Sequence, residues 1–196
     1  MNGGLGIQNA ANITFPTPAV AVGNIMFLGL FDSQVGGNML LSGPFAETLS
    51  IGAYEAPVVI AGEAQWWQAG NMSIAYKTSV LNTMRGSSLT GFTPYLALFN
   101  GNPESGGAEL SGTGYKRTAL TFTAPMKQDA GQMLIENTAQ VMSARATGSW
   151  GVMNHFAVMD ALSSGKPFFF RDRPAKEITK NFTIVVNAGE LKTTVT

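Results

Sequence analysis

The chain contains no cysteine, a single histidine and few charges: 12 Lys and Arg balance 12 Asp and Glu, so charged residues make up 12% of 196 positions. Without thiols there are no disulfides, thiolate metal sites, iron–sulfur clusters or Cys nucleophiles. One His, His155, removes most zinc and imidazole-base chemistry. A formal net charge of zero gives no electrostatic reason to expect nucleic acid or an anionic membrane as partner. Targeting signals are lacking too, since Met1 to Gln8 carries no basic residue and no charged start precedes a signal-type apolar run. The most apolar stretch, Ala19 to Phe31, covers about thirteen residues and contains Gly23, Asn24 and Gly29, short of the roughly 18 needed to span a bilayer. The reading is a soluble chain with no membrane insertion. The sequons at Asn12, Asn71 and Asn181 are chance matches unless the chain is secreted.

What the chain has instead is apolar residues, 45% of positions, and 23 glycines. So much uncharged surface is better tolerated against a partner than in dilute solution. The most informative feature is an internal similarity. At an offset of 128, Asn9 falls on Asn137, Ala11 on Ala139, Ile13 on Val141, Gly23 on Gly151, Asp32 on Asp160 and Gly37 on Gly165. After a one-residue gap the offset is 127, and Val58, Val59, Ala61, Gly62 and Glu63 fall on Val185, Val186, Ala188, Gly189 and Glu190. Residues 9 to 63 therefore look like a second copy of residues 137 to 190, and the stretch from about 73 to 136 has no counterpart.

Each copy reads as β-structure. The runs Asn24 to Phe31 and Asn154 to Met159 each end at an Asp followed by Ser and Gly, which is hairpin punctuation. The next strands are expected at Asn38 to Leu41 and Lys166 to Phe170, then at Leu49 to Ile60 and Ile178 to Val186. In Lys116 to Thr123, Thr118, Leu120 and Phe122 alternate with Arg117, Ala119, Thr121 and Thr123, which predicts a further strand. One helix is expected near residues 73–85, with Ser73 as cap, an apolar stripe of Tyr76, Val80, Leu81 and Met84, and Gly86 just past its end. Tyr95 to Phe99 reads as a strand, and the Gly- and Ser-rich stretch from Gly101 to Gly114 as an exposed loop. The expected class is mainly β, an antiparallel β-sandwich or jelly-roll-like fold with one short linking helix. The expected divisions are a flexible arm at 1–8, a half-copy β module at 9–65, a linker at 66–72 and a full β module at 73–196, with the half copy's open edges satisfied either by packing as one sandwich with 73–196 or by docking on a neighbouring subunit.

From Tyr76 onward the chain resembles the bacteriophage tail fibre or minor tail proteins. The motifs that carry the resemblance are Tyr95-Leu96-Ala97-Leu98-Phe99 entering a turn at Asn102-Pro103, Glu109-Leu110-Ser111-Gly112, Gly114-Tyr115 with Arg117, and Leu120-Thr121-Phe122. Asn137-Thr138-Ala139, Trp150-Gly151, Met159-Asp160 with Gly165, and Asn187-Ala188-Gly189-Glu190 follow in the family's order. Departures are the extra half copy at the start and Ser143, where the family, like Phe15 in the first copy, has Phe. The resemblance implies a non-enzymatic virion structural protein of the tail fibre or baseplate type, made in the host bacterial cytoplasm and working as a homo-oligomer with other phage virion proteins. A capsid cement or decoration protein is the alternative within the structural class. A module binding a host surface carbohydrate through Trp66, Trp67 and Tyr54 is the alternative outside it.

Candidate active sites are weak beside this. Asp32, Glu47, Glu55, Glu63, Glu104 and Glu109 are scattered over expected turns, whereas glycoside hydrolysis needs two carboxylates held about 5 to 9.5 Å apart. His155 alternates with apolar neighbours and reads as a packed His. Asp32 and Asp160 recur at one turn position, where a carboxylate bonds nearby backbone N–H groups without any metal. Gly3-Gly4-Leu5-Gly6 lacks the Lys-Ser/Thr of a phosphate loop. No cofactor, catalytic residue or metal ligand is expected. The candidate partner contacts are Trp66, Trp67, Phe168 and Phe170: indoles favour interfaces, and in Phe168-Phe169-Phe170 alternate rings point to opposite faces of a sheet.

Overall fold

The computed structural model describes residues 5–68, 72–128 and 132–195. It is mainly β, with antiparallel pairing and one helix. The chain divides into two compact units, Met1–Gln68 and Ala69–Thr196.

The first unit holds β1 (Leu5–Gln8), β2 (Ile13–Thr14), β3 (Gly23–Phe31), β4 (Met39–Ile51), β5 (Val58–Val59) and β6 (Gln65–Gln68). They pair as three two-stranded ladders, β1 with β6, β2 with β5 and β3 with β4. Residues 5–8, expected within a flexible arm, therefore form a strand, and its partner begins at Gln65 and runs into the expected linker. A paired ladder satisfies the backbone of both segments, which composition alone did not reveal.

The second unit holds α1 (Ile74–Thr83), β7 (Tyr95–Asn100), β8 (Ala108–Glu109), β9 (Thr118–Ala119), β10 (Met126–Lys127), β11 (Met133–Glu136), β12 (Val141–Met142), β13 (Gly151–Met159), β14 (Pro167–Ile178), β15 (Val185–Val186) and β16 (Lys192–Val195). Its largest sheet runs β14-β13-β7-β8, with β9 also on β7. Period-two alternation gives this sheet two packed faces. Leu96, Leu98, Phe156 and Val158 point into the main core with Trp150, Met153, Ile178 and Val186. Ala97, Phe99, Ala157 and Met159 form a smaller cluster on the other face.

Pairings in the two aligned segments coincide. Gly23↔Ile51 and Gly151↔Ile178, Ile25↔Leu49 and Met153↔Lys176, Phe27↔Pro44 and His155↔Asp172, and Phe31↔Met39 and Met159↔Pro167 occupy equivalent places. So do Ile13↔Val59 and Val141↔Val186, and, beyond the range read from sequence, Gln8↔Gln65 and Glu136↔Lys192. The one-residue gap falls in a bulge: residues 45–48 lie between the pairs of β4 that flank Met26, and residues 173–175 between those of β14 that flank Asn154. A bulge absorbs an inserted residue without shifting the register beyond it. The same bulges explain why the expected breaks before Leu49 and Ile178 are not breaks. β4 and β14 continue through Pro44 and Pro174, the second of which falls among the unpaired bulge residues where a missing N–H costs no ladder bond.

Turn chemistry matches as well. Asp32 Oδ1 accepts the N–H of Asn38, and Asp160 Oδ1 that of Lys166, both at 2.7 Å. At Gly165, within this turn at φ +74°, a Cβ would collide with Asp160 Oδ1, which accounts for the glycine. Asn9 Oδ1 accepts the N–H groups of Gly62 and Ala64, and Asn137 Oδ1 that of Leu191. The strand expected over Ile178 to Val186 is reduced to Val185–Val186, and that over Lys116 to Thr123 to Thr118–Ala119 with a bridge from Phe122 to Asn137.

Helix α1 starts where expected: Ser73 Oγ accepts the Tyr76 N–H at 3.0 Å, a standard cap. Leu81 is buried, Tyr76 and Val80 partly so, and Gly86 takes φ +87° past the end, a conformation in which only glycine is unstrained. Among the described residues, no helix is long and apolar enough to cross a membrane.

Candidate interaction surfaces

Four side chains were singled out by sequence, and they fall in different settings. Phe168 is 8% exposed and serves the second unit's own core. Its ring meets Tyr76 edge-on at 4.0 Å between centroids, and Phe92 and Phe169 at 5.5 Å each. Alternation fails here because Phe169 pairs with Val158 and Pro167 with Met159, leaving Phe168 as the extra residue of a bulge. Bulges re-aim side chains, so Phe168 and Phe169 enter one core instead of opposite faces. Phe170 is half-buried against the smaller cluster. Trp66 is half-buried, and its indole N–H has no partner among the described residues. It lines an open cleft of about 640 Å³ with Leu28, Pro44, Leu49 and Ala64. The side chain of Trp67 lies outside the described residues. Tyr54 is exposed at φ +64° and is not among the residues lining that cleft.

A second feature of the first unit is its unfilled core face. Phe15, Pro18, Val22, Ile25, Leu28, Ile51, Pro57 and Val59 line an apolar trough of about 410 Å³. Their counterparts in the second unit include Ala146, Trp150, Met153, Phe156, Ile178, Ile184 and Val186, all within the main core. Val22 is 56% exposed, whereas Trp150, at the same place, is 3%. What fills the space in the second unit is the stretch without a counterpart, through Leu96, Leu98, Leu110, Leu120 and Tyr115. Phe15 and Val22 on its rim are 41% and 56% exposed, which makes the trough a candidate contact surface.

One further cluster binds the family motifs together. Arg117 is buried and forms a two-pronged ion pair with Glu109, Nε to Oε1 at 2.9 Å and Nη2 to Oε2 at 2.7 Å. Its Nη1 donates to the carbonyls of Ala161 and Ser164 at 2.6 Å each. Tyr115 donates to Glu109 Oε1 at 2.9 Å and accepts the Leu98 N–H at 3.1 Å. Burial pushes the Tyr115 phenol well above its usual value, with the Glu109 charge adding to the shift; the hydrogen bond to Glu109 holds the Arg117 guanidinium charged. A fork of donors matched to a carboxylate and two turn carbonyls is a fastener. Arg117 and Leu120, expected on opposite faces, are both buried, Arg117 because its guanidinium turns to these acceptors. The stretch expected as an exposed loop is likewise partly fixed. Leu110 is buried, Trp150 Nε1 donates to the Thr113 carbonyl at 3.0 Å, and a Cβ at Gly112 would lie 2.5 Å from the Ser149 carbonyl oxygen.

His155 Nδ1 lies 2.9 Å from Asn154 Oδ1, on a strand between Phe99 and Asp172. Among the described residues no group of three His, Asp or Glu could hold a metal ion.

Sequence reasoning missed a polarity of charge. None of the 12 Lys and Arg precedes Lys77, so residues 1–68 carry only Asp32, Glu47, Glu55 and Glu63. It also missed that Phe27-Leu28-Gly29-Leu30-Phe31 resembles Tyr95-Leu96-Ala97-Leu98-Phe99. Both were readable from the letters.

Short antiparallel ladders, turns fixed by side-chain hydrogen bonds and a broad apolar face describe a mainly β protein built from antiparallel pairs. A family model described as Podophage GP4 fiber I protein gp80 matches residues 2–66 and 71–194. The chain belongs to this phage fibre family, which makes it a virion-associated structural protein. No curated protein and no solved structure gives a match.

Proposed function

We propose that this protein is a non-enzymatic component of the phage tail fibre or baseplate apparatus, assembling through its β surfaces with copies of itself and with other virion proteins. The observation that carries the reading is family membership over both units. The open trough of the first unit supports assembly, because the same positions are closed in the second. A fibre family favours the tail over the capsid, so a cement role takes second place within the structural class. Partly exposed Trp66 and Phe170, together with Trp67, are assigned to subunit contacts. A distinct role in binding a host glycan draws support from the half-buried Trp66 on its open cleft and from exposed Tyr54.

Immunogold electron microscopy of intact phage tests the proposal. Label on the tail or its fibres is expected, and label spread over the head, or none on intact or opened particles, would overturn it. Replacing Trp66 and Trp67 by Ala separates the contact and glycan roles. Loss of assembly is the expected result; loss of glycan binding with assembly intact would transfer both residues to receptor recognition.

A further inference from the structure

Strand β3 pairs with β4 on one edge and, among the described residues, with nothing on the other. Its counterpart β13 has both edges occupied: β14 lies on one side and β7 on the other, in the register His155↔Phe99, Phe156↔Leu98, Ala157↔Ala97, Val158↔Leu96 and Met159↔Tyr95. The second unit therefore shows what the missing neighbour of β3 must look like. It is an antiparallel strand reading aromatic, Leu, small, Leu, Phe. β3 itself reads Phe27-Leu28-Gly29-Leu30-Phe31.

We infer that two copies of the chain pair through their β3 edges, antiparallel and centred on Gly29, to make a continuous sheet β4-β3-β3-β4. This rests on the assembling-fibre reading and names the surface and the partner. In that register Gly29 faces Gly29 of the second copy, as Ala157 faces Ala97. Leu28 faces Leu30, repeating the pairing of Phe156 and Val158 with Leu98 and Leu96. Phe27 faces Phe31, in the place of the outer pairs His155↔Phe99 and Met159↔Tyr95. The contact is isologous, so a single self-complementary strand closes it by a two-fold axis. A one-residue slip would turn every side chain to the wrong face, which fixes the centre at Gly29. Phe27 and Phe31, both more than half exposed, gain cross-strand partners, and no charge lies on the strand to oppose its copy. An open apolar edge of this length is otherwise an aggregation hazard.

The chain lacks cysteine, so Gly29→Cys supplies its sole thiol. Residues directly opposed in an antiparallel pair have Cα atoms about 4.5 to 5.5 Å apart, within disulfide range. The new Cβ meets the far edge of the Phe31 ring at 2.9 Å and Met39 Sδ at an ordinary contact distance of 3.7 Å. Mild oxidation is expected to give a covalent dimer, whereas Gly43→Cys on the neighbouring strand, with nothing within 4 Å of its Cβ, is expected to remain uncoupled. In sedimentation experiments Phe27→Lys/Phe31→Lys, which opposes like charges, is expected to weaken dimerisation about tenfold or more. Phe27→Lys/Phe31→Glu opposes Lys to Glu and is expected to recover it. Circular dichroism checks that each variant folds, and if the Lys/Lys variant does not, the cross-link decides. Equal cross-linking at positions 29 and 43, or a Lys/Glu variant as monomeric as Lys/Lys, overturns the inference. A dimer without the position-29 link, on particles whose fibres take the antibody, defeats β3 pairing alone; absence of the chain from virions defeats the fibre reading.

Discussion

Replacing Phe168 by Ala distinguishes a core ring from a partner contact. Phe168 and Leu40 occupy the same bulge position in the two units, but they are 8% and 39% exposed. Phe168→Ala removes a nearly buried ring together with its edge contacts to Tyr76, Phe92 and Phe169. Such large-to-small changes cost about 3 to 5 kcal/mol, of which aromatic pairs contribute roughly 0.5 to 1.5 kcal/mol each beyond area. Leu40→Ala deletes three carbons that are already partly wet, worth about 1 to 1.5 kcal/mol at ~0.8 kcal/mol per fully buried carbon. Urea unfolding read by Trp150 fluorescence, in a Trp66→Phe/Trp67→Phe background, reports on the second unit alone. The expected result is a large drop in midpoint for Phe168→Ala and none in the Trp150 signal for Leu40→Ala, which belongs to the first unit. If Phe168→Ala leaves stability within about 0.5 kcal/mol, the level of ordinary surface changes, and instead abolishes assembly in the chain that keeps Trp66 and Trp67, then Phe168 is a partner contact and the packing argument fails.

Other outcomes follow from the same geometry. Arg117→Met strands Glu109 and the carbonyls of Ala161 and Ser164 and is expected to cost about 2 to 4 kcal/mol, toward the lower part of the range for broken buried pairs because Glu109 is partly wet; adding Glu109→Gln should recover part of it in thermal unfolding. The Tyr115 phenol has its folded pKa raised above the usual 10.0, so its contribution to stability is complete below about pH 10 and is lost as pH rises beyond it; difference absorbance against Tyr115→Phe should show this phenol ionising only above the usual range, and its ionisation near pH 10 would refute its burial. Gly112→Ala puts a Cβ against the Ser149 carbonyl at φ +143°, whereas Gly106→Ala at φ +84° meets nothing within 4 Å. The first is expected to destabilise by more than about 2 kcal/mol and the second by about 1 kcal/mol, measured by urea midpoint.

Features governed by local chemistry were legible in the sequence. The Ser73 cap, the Gly86 stop, the Asp32 and Asp160 turns and the course of Gly23–Phe31 follow from residues within a few positions of one another. What was not legible depends on distant partners. Residues 5–8 look like an arm until Gln65–Gln68 pairs with them, and Arg117 looks like a solvated charge until Glu109 and two turn carbonyls surround it. Strict alternation misassigned Phe168 because a bulge adds a residue that periodicity cannot see. Of the interaction surface, the apolar composition was evident; which positions were open required comparison with the closed unit.

The departure at Ser143 shows how the two units differ while obeying one rule. Phe15 N–H donates to the Pro57 carbonyl and Ser143 N–H to the Ile184 carbonyl, so both backbones make the same bond. Returning across the pair, Pro57 has no N–H to satisfy, but Ile184 does, and in the second unit that group is buried. The Ser143 hydroxyl accepts it at 3.0 Å, where a Phe could not. Leaving a buried N–H unpaired costs about 1 to 3 kcal/mol, so Ser143 and Ile184 form a matched set, as do Phe15 and Pro57. The second set frees the first unit to place an aromatic ring on the trough wall instead of a hydroxyl in a closed core. One backbone bond is thus kept in both units while the side chains beside it differ, an aromatic ring on the trough wall in the first and a hydroxyl that satisfies a buried N–H in the second.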